Sequence, residues 1–173
     1  VGPIRGKSKT HLLTGYVHAA YPPVYSELAK VSGFDSAILV KGVEGGVAPS
    51  LRGDGKIFYY NDDNEMKETK FNAKDLDINH KMRAVPLPEL EKVEEMKLDE
   101  ISSDINVEDF SQKAAEIGLL ALDGKDGPAK DTLIFTASIA LSIIKKIQFT
   151  DASDLIKKAI NSGKAKEFFY NAR

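Results

Sequence analysis

Apolar positions along this 173-residue chain switch repeatedly between unbroken runs and helical spacing. Leu12-Leu13-Thr14-Gly15-Tyr16-Val17 is a short apolar run of strand length. Pro22-Pro23 then opens a stretch with Val24, Leu28 and Val31 on one helical face. Gly33 closes it, and Ala37-Ile38-Leu39-Val40 is continuously apolar, as strands covered on both faces are. The order predicts a strand–helix–strand unit with a parallel pair. Lys56-Ile57-Phe58-Tyr59-Tyr60 and Lys67-Glu68-Thr69-Lys70-Phe71 flank the polar cluster Asn61-Asp62-Asp63-Asn64-Glu65, which predicts a hairpin.

From Lys81 to Ser103 the pattern is irregular and acidic, broken by Pro86 and Pro88, and reads as connecting structure. The last third is helical. Asn106 with Asp109 three residues on gives a capping signal ahead of Phe110, Ala114, Ile117 and Leu120. Gly124 and Gly127 end that helix, and Pro128 takes the first position of the next. There Leu133, Ile134, Ala137, Ala140, Leu141 and Ile144 are apolar on more than one face, so this helix is expected to lie deep. Asp151 to Ile160 and Lys164 to Tyr170 form two shorter helices around Asn161-Ser162-Gly163. No internal repeat or low-complexity tract interrupts the series.

With 42% hydrophobic residues, the chain holds material for one core, and a single domain is expected. It has no cysteine, which removes disulfides, thiolate metal sites and cysteine nucleophiles together. That suits a reducing compartment, and cytoplasm is the expected location. No apolar run approaches the roughly 20 residues that cross a bilayer, so no membrane association is expected. The chain opens on Val1 in a loop-like stretch, so its true start is expected to lie upstream. The formal charge of -2 is unevenly spread: residues 1–60 carry +3, 61–110 carry -8 and 111–173 carry +3. Any polyanion contact therefore rests on a local patch.

The loop Lys41-Gly42-Val43-Glu44-Gly45-Gly46 follows the buried strand, and open α/β sheets hold ligands at the carboxyl ends of their strands. Gly42, Glu44, Gly45 and Gly46 thus form a candidate ligand loop with Lys41 as its charge, although on their own such residues more often make a plain structural turn. His18 ends the preceding strand and could share that edge; a lone histidine is also a common structural residue. Asp62, Asp63 and Glu65 belong to the hairpin turn, where short polar side chains bond locally. His11, His18 and His80 lack zinc spacing, and Glu94-Glu95 and Asp99-Glu100 lack that of a calcium loop. No metal site is expected from them. Arg5, Lys7 and Lys9 alternate in an extended stretch and could face phosphates, with Arg52 and Lys41 extending the patch. Lys9 leads into the first strand while Lys41 leaves the second, so only a folded-back leader would unite the five.

Taken in series, these segments resemble the C-terminal half of the anthranilate phosphoribosyltransferase-like proteins, glycosyltransferase family three. The resemblance rests on Leu12 to Val40, the loop Val40 to Gly45, Phe71-Asn72-Ala73-Lys74-Asp75-Leu76, the stretch Leu122 to Asp131 with its Gly-x-x-Gly-Pro-x-Lys-Asp pattern, and Ile160-Asn161-Ser162-Gly163-Lys164-Ala165. Arg5 to His18 and Val43 to Ser50 resemble most a divergent branch described as nucleic-acid-binding. The fold implied is the parallel-sheet C-terminal part of a nucleoside-phosphorylase-type phosphoribosyltransferase α/β fold, ending in several helices. The helical domain and the upstream half of the α/β domain would then precede residues 1–173. The resemblance implies a DNA- or RNA-binding protein without strong sequence preference, joined to its upstream part and homodimeric when whole. The family's enzymes carry an Asp-Glu magnesium pair where Val47-Ala48 stands here. No cofactor is therefore expected; magnesium belongs only to the alternative, an active anthranilate phosphoribosyltransferase of tryptophan biosynthesis.

Overall fold

The computed structural model describes residues 8–88 and 107–172. Strand β1 (His11–Gly15) runs into helix α1 (Tyr21–Val31), which returns the chain to strand β2 (Ser36–Val40). The two strands pair in parallel, from His11 against Ser36 to Gly15 against Val40. Proline at the first positions of α1 supplies a preset φ where no backbone donor is needed. At the far end the Ser32 amide donates to the Leu28 carbonyl, and Gly33, at φ 80°, turns the chain toward β2.

Strand β3 (Asp54–Tyr60) lies antiparallel to β2, and β4 (Lys67–Asn72) closes the expected hairpin, giving the order β1-β2-β3-β4. The sheet is thus mixed: one parallel pairing at the crossover, then two antiparallel ones. The hairpin turn holds itself together. Asn64 takes a left-handed conformation, its amide donates to the Asn61 carbonyl, and the Glu65 amide donates to Asp63 Oδ1 at 3.2 Å. Asp63 is ion-paired with Lys67 and Asp62 with Lys9 and Lys146, so these carboxylates serve the turn and its neighbours.

All five residues of β2 are buried, as their unbroken apolar pattern predicts. Ala37 and Leu39 face α1, packing with Tyr16, Ala29 and Tyr60. Ile38 and Val40 face the other way, into a larger core with Leu51, Ile57 and Leu76. Helix α3 (Pro128–Lys145) fills that core with Ile134, Phe135, Ile139 and Ile143, and none of residues 128–144 is exposed. Helix α4 (Phe149–Asn161) packs beside it and α5 (Lys164–Asn171) ends the chain.

Helix α2 (Val107–Leu122) departs from its sequence pattern. Its stripe of Phe110, Ala114, Ile117 and Leu120 predicts a covered face, yet Ala114 and Leu120 are exposed and only Ala121 is buried. Among the described residues its main partner is α3, which reaches only part of that stripe. The cap expected at Asn106, and the connecting stretch from residue 89 onward, fall outside the described residues. No helix is long and apolar enough to cross a membrane, among the described residues.

Candidate functional site

The carboxyl ends of β1 and β2 meet at one edge of the sheet. The loop after β2 is pressed against the end of β1 so closely that side chains are excluded. A Cβ on Gly42 would sit 1.8 Å from the Gly46 carbonyl oxygen, and one on Gly15 would sit 2.0 Å from that of Gly45. The Val43 amide donates to the Ala48 carbonyl at 2.9 Å, and the Gly46 amide to the Val43 carbonyl at 3.0 Å. Glu44 takes a left-handed conformation at φ 54°, and Gly45 lies against Val17. Two amides that an anion would need are therefore committed inside the loop. What they build is a rigid turn that fixes the edge, with exposed Lys41, Glu44 and Gly46 on its rim.

His18 lies on the same edge, exposed, in the turn between β1 and α1. Its Nδ1 accepts from the Ala20 amide at 3.2 Å, and its ring stands 5.8 Å from that of Tyr21. Tyr21 stacks in turn on Tyr25, with centroids 5.7 Å apart and planes 16° from parallel. The three rings form a short ladder over the first turn of α1, and Tyr21 and His18 are open to solvent. The chain carries part of the signal: Tyr21 and Tyr25, four residues apart, share one helical face, and the turn before α1 adds His18. Of the three, only His18 is a candidate from the sequence, since Tyr21 and Tyr25 read there as ordinary helix positions.

Arg52 joins this edge from the loop leading into β3. The Arg52 amide donates to Ser50 Oγ at 3.2 Å, and that hydroxyl donates to the Arg52 carbonyl at 3.3 Å, which holds the loop backbone. Beside it a cavity of about 580 Å³ is lined by Leu51, Arg52, Gly53, Lys74, Asn79, His80 and Lys81. His80 Nε2 lies 2.6 Å from Asp131 Oδ2, in the first turn of α3. Lys74, His80 and Lys81 were missed in the sequence because they are remote from Arg52 along the chain. Only the end of β4 and the segment after it bring them there.

Lys9 stands elsewhere. It leads into β1 at the opposite end of the parallel pair, roughly 20 Å from Lys41 at the usual rise of a strand. There it pairs with Asp62 at 3.1 Å, and Asp62 also binds Lys146 at 3.0 Å. Hydrogen bonds from Lys146 and then Lys9 hold the Asp62 carboxyl below the ordinary carboxylate value. Arg5 and Lys7 lie outside the described residues. Of the five expected cations, the three that are described divide, with Lys41 and Arg52 on one edge and Lys9 on the other.

The donor set at the loop does not suit magnesium, a hard cation that takes oxygen ligands. Val47 and Ala48 offer none, and among the described residues no three His, Asp or Glu side chains converge on one point.

No protein-family model matches the chain, and no curated protein matches it in sequence. Its structure is similar to anthranilate phosphoribosyltransferase from Saccharomyces cerevisiae in complex with 4-fluoroanthranilate, with TM-score 0.59 and 16% identity over 91% of this chain and 40% of that one. A variant of the same protein with magnesium bound gives 0.58 and 15%, with the same coverage. Anthranilate phosphoribosyltransferase from Thermus thermophilus gives 0.54 and 13%, again over 91% and 40%. The chain therefore spans 40% of the length of these structures and has the α/β fold of their C-terminal part.

Proposed function

We propose that this chain is part of a nucleic-acid-binding protein built on a phosphoribosyltransferase-like fold, with its transferase chemistry lost. The observation that carries the reading is the carboxyl edge of the sheet, which bears both exposed cations and exposed aromatic rings. Lys41 and Arg52 are in no ion pair among the described residues, and His18 and Tyr21 are exposed where the chain leaves β1 at the same edge of the sheet. Cations that track phosphates next to flat rings that stack on bases are the two parts of a sequence-tolerant nucleic-acid surface. The absence of oxygen ligands at Val47 and Ala48 supports the loss of magnesium-dependent transfer.

Arg5, Lys7 and Lys9 are a second set of cations in this proposal, and of these Lys9 stands at the other end of β1. Lys9 shares Asp62 with Lys146, so it is the weaker contributor. DNA and RNA are both ligands, the parent protein is a homodimer working in the cytoplasm, and no cofactor takes part.

Titration of fluorescent DNA and RNA oligonucleotides at several salt concentrations tests this reading. Removing Lys41 and Arg52 together as alanines is expected to flatten the salt slope by about 0.7–0.9 for each phosphate that is no longer neutralised. Tyr21→Ala is expected to weaken binding by roughly 1–3 kcal/mol with little change in slope, as removal of a stacking platform does. The triple change of Arg5, Lys7 and Lys9 to alanine separates the two ends of the sheet. Affinity and slope unchanged in all three variants would overturn the proposal. So would steady conversion of anthranilate and phosphoribosyl diphosphate by the full-length protein with magnesium.

A further inference from the structure

We infer that the cavity beside Arg52 is a binding site for a phosphate group, of the kind a phosphomonoester carries. This goes beyond the nucleic-acid reading and stands without it. Three cations converge there from separate parts of the chain: Arg52 before β3, Lys74 in the turn after β4, and Lys81 beyond it. Like charges brought together repel unless something negative offsets them. No carboxylate lines the cavity: Asp54 accepts from Asn72 Nδ2 at 2.5 Å, Asp131 is paired with His80, and Asp75 and Asp77 lie outside the lining. Among the described residues no carboxylate pairs with Arg52, Lys74 or Lys81.

The walls of the cavity are held in place. Its floor is Leu51, 1% exposed, whose amide donates to the Arg83 carbonyl at 3.0 Å and so ties the Arg52 loop to the segment bearing Asn79, His80 and Lys81. Lys74 is positioned by Asn72, whose Oδ1 accepts from the Lys74 amide at 3.0 Å. Asp131 orients the His80 ring from α3, acting as a positioning residue. Arg52 offers a planar fork that matches two phosphate oxygens, the lysines add point charges, and Asn79 adds an amide donor. At about 580 Å³ the cavity has the size of a small-molecule site. It lies at the carboxyl edge of the sheet, where open α/β folds take ligands.

The experiment is a titration of the full-length protein with inorganic phosphate, followed by backbone amide NMR shifts and calorimetry. Saturable binding is expected, with the largest shifts at Arg52, Gly53, Lys74, Asn79 and Lys81. Arg52→Ala and Lys74→Ala are each expected to weaken it about tenfold, and Arg52→Lys to recover part of the loss. Lys145→Ala, a charge-matched change at the exposed end of α3, is expected to leave it unchanged. Circular dichroism of each variant separates loss of the site from loss of the fold.

Glycerol 3-phosphate and 5′-phosphorylated against 5′-hydroxyl oligonucleotides then distinguish the source of the group. Tighter binding of the phosphorylated strand assigns the pocket to strand ends, and binding of the small ester alone assigns it to a metabolite. In the second outcome the pocket stands while the nucleic-acid reading falls. Phosphate shifts spread evenly over the surface lysines, or native affinity in the Arg52→Ala and Lys74→Ala variants, would overturn the pocket and leave nucleic-acid binding to be judged on its own.

Discussion

At the scale of single residues, close approach and burial decide more here than charge. Gly42 and Gly15 let the loop after β2 lie against the end of β1, and a methyl group at either would collide with backbone carbonyl oxygens. Gly42→Ala is therefore expected to lower stability by about 2–3 kcal/mol, the cost of overpacking where backbone must move. Urea unfolding measures it, and a drop under 0.5 kcal/mol, on the order of a neutral surface change, would show that the loop yields freely. Tyr60 is a second case: its hydroxyl donates to the Phe34 carbonyl at 3.0 Å from a fully buried ring. Burial, then the charges of Asp35 and Glu27, raise its pKa above the ordinary 10.0. The folded state thus keeps this proton to higher pH than the unfolded chain does. The stability it contributes is full below the unfolded value and is lost as pH rises through the folded one. Tyr60→Phe is expected to cost about 1 kcal/mol at pH 7 and to make the alkaline decline less steep, read from urea midpoints taken on both sides of the tyrosine range.

At the scale of elements, the helices of the last third hold the hairpin and the parallel pair together. Phe135 of α3 is fully buried, and Phe149 of α4 bridges it to Phe71 of β4 with ring centroids 6.0 and 4.6 Å away. Asn61 Nδ2 donates to the Ile143 carbonyl at 3.0 Å, a second tie between hairpin and α3. Phe135→Ala is expected to cost about 3–5 kcal/mol, through forfeited transfer energy and the cavity left behind. The His80–Asp131 pair that fastens the segment after β4 to α3 is partly exposed, and Asp131→Asn is expected to cost only about 0.5–1 kcal/mol. Denaturant midpoints of the two variants test that ranking, which reverses if the segment after β4, rather than the aromatic bridge, anchors the sheet to α3.

At the scale of the whole molecule, the described surface is unbalanced. Helix α1 turns Val24, Leu28 and Val31 outward at 54%, 58% and 87% exposure, with Val17 and Tyr21 extending the stripe. β1 is also an edge strand in the order β1-β2-β3-β4, with nothing paired on its outer side among the described residues. An exposed apolar stripe and an open strand edge each favour association. The chain is expected to bind an apolar dye and to self-associate at micromolar concentration. Val24→Lys with Leu28→Lys is expected to suppress both while leaving the circular dichroism spectrum unchanged. Sedimentation showing one monodisperse monomer with no dye binding would count against this.

The strand–helix–strand unit, the hairpin and the deep helix α3 are legible in the sequence because each rests on a local pattern: an unbroken apolar run for β2, turn residues between β3 and β4, apolar positions on more than one face of α3. Local patterns need no knowledge of neighbours. Helix α2 misleads for the same reason, since its stripe is real but the structure places only part of it against α3. The candidate site was half legible: the loop Lys41 to Gly46, His18 and Arg52 follow from strand ends. The ring ladder needed the turn before α1 to bring His18 over Tyr21, and the basic pocket needed β4 to return beside β3 before Lys74, His80 and Lys81 could meet Arg52. The opposite placement of Lys9 follows from parallel pairing, because the residue entering one strand and the residue leaving its neighbour lie at opposite ends. Sequence determined the elements through spacing and propensity, while convergence of side chains distant along the chain was decided only when the sheet order and strand directions were set.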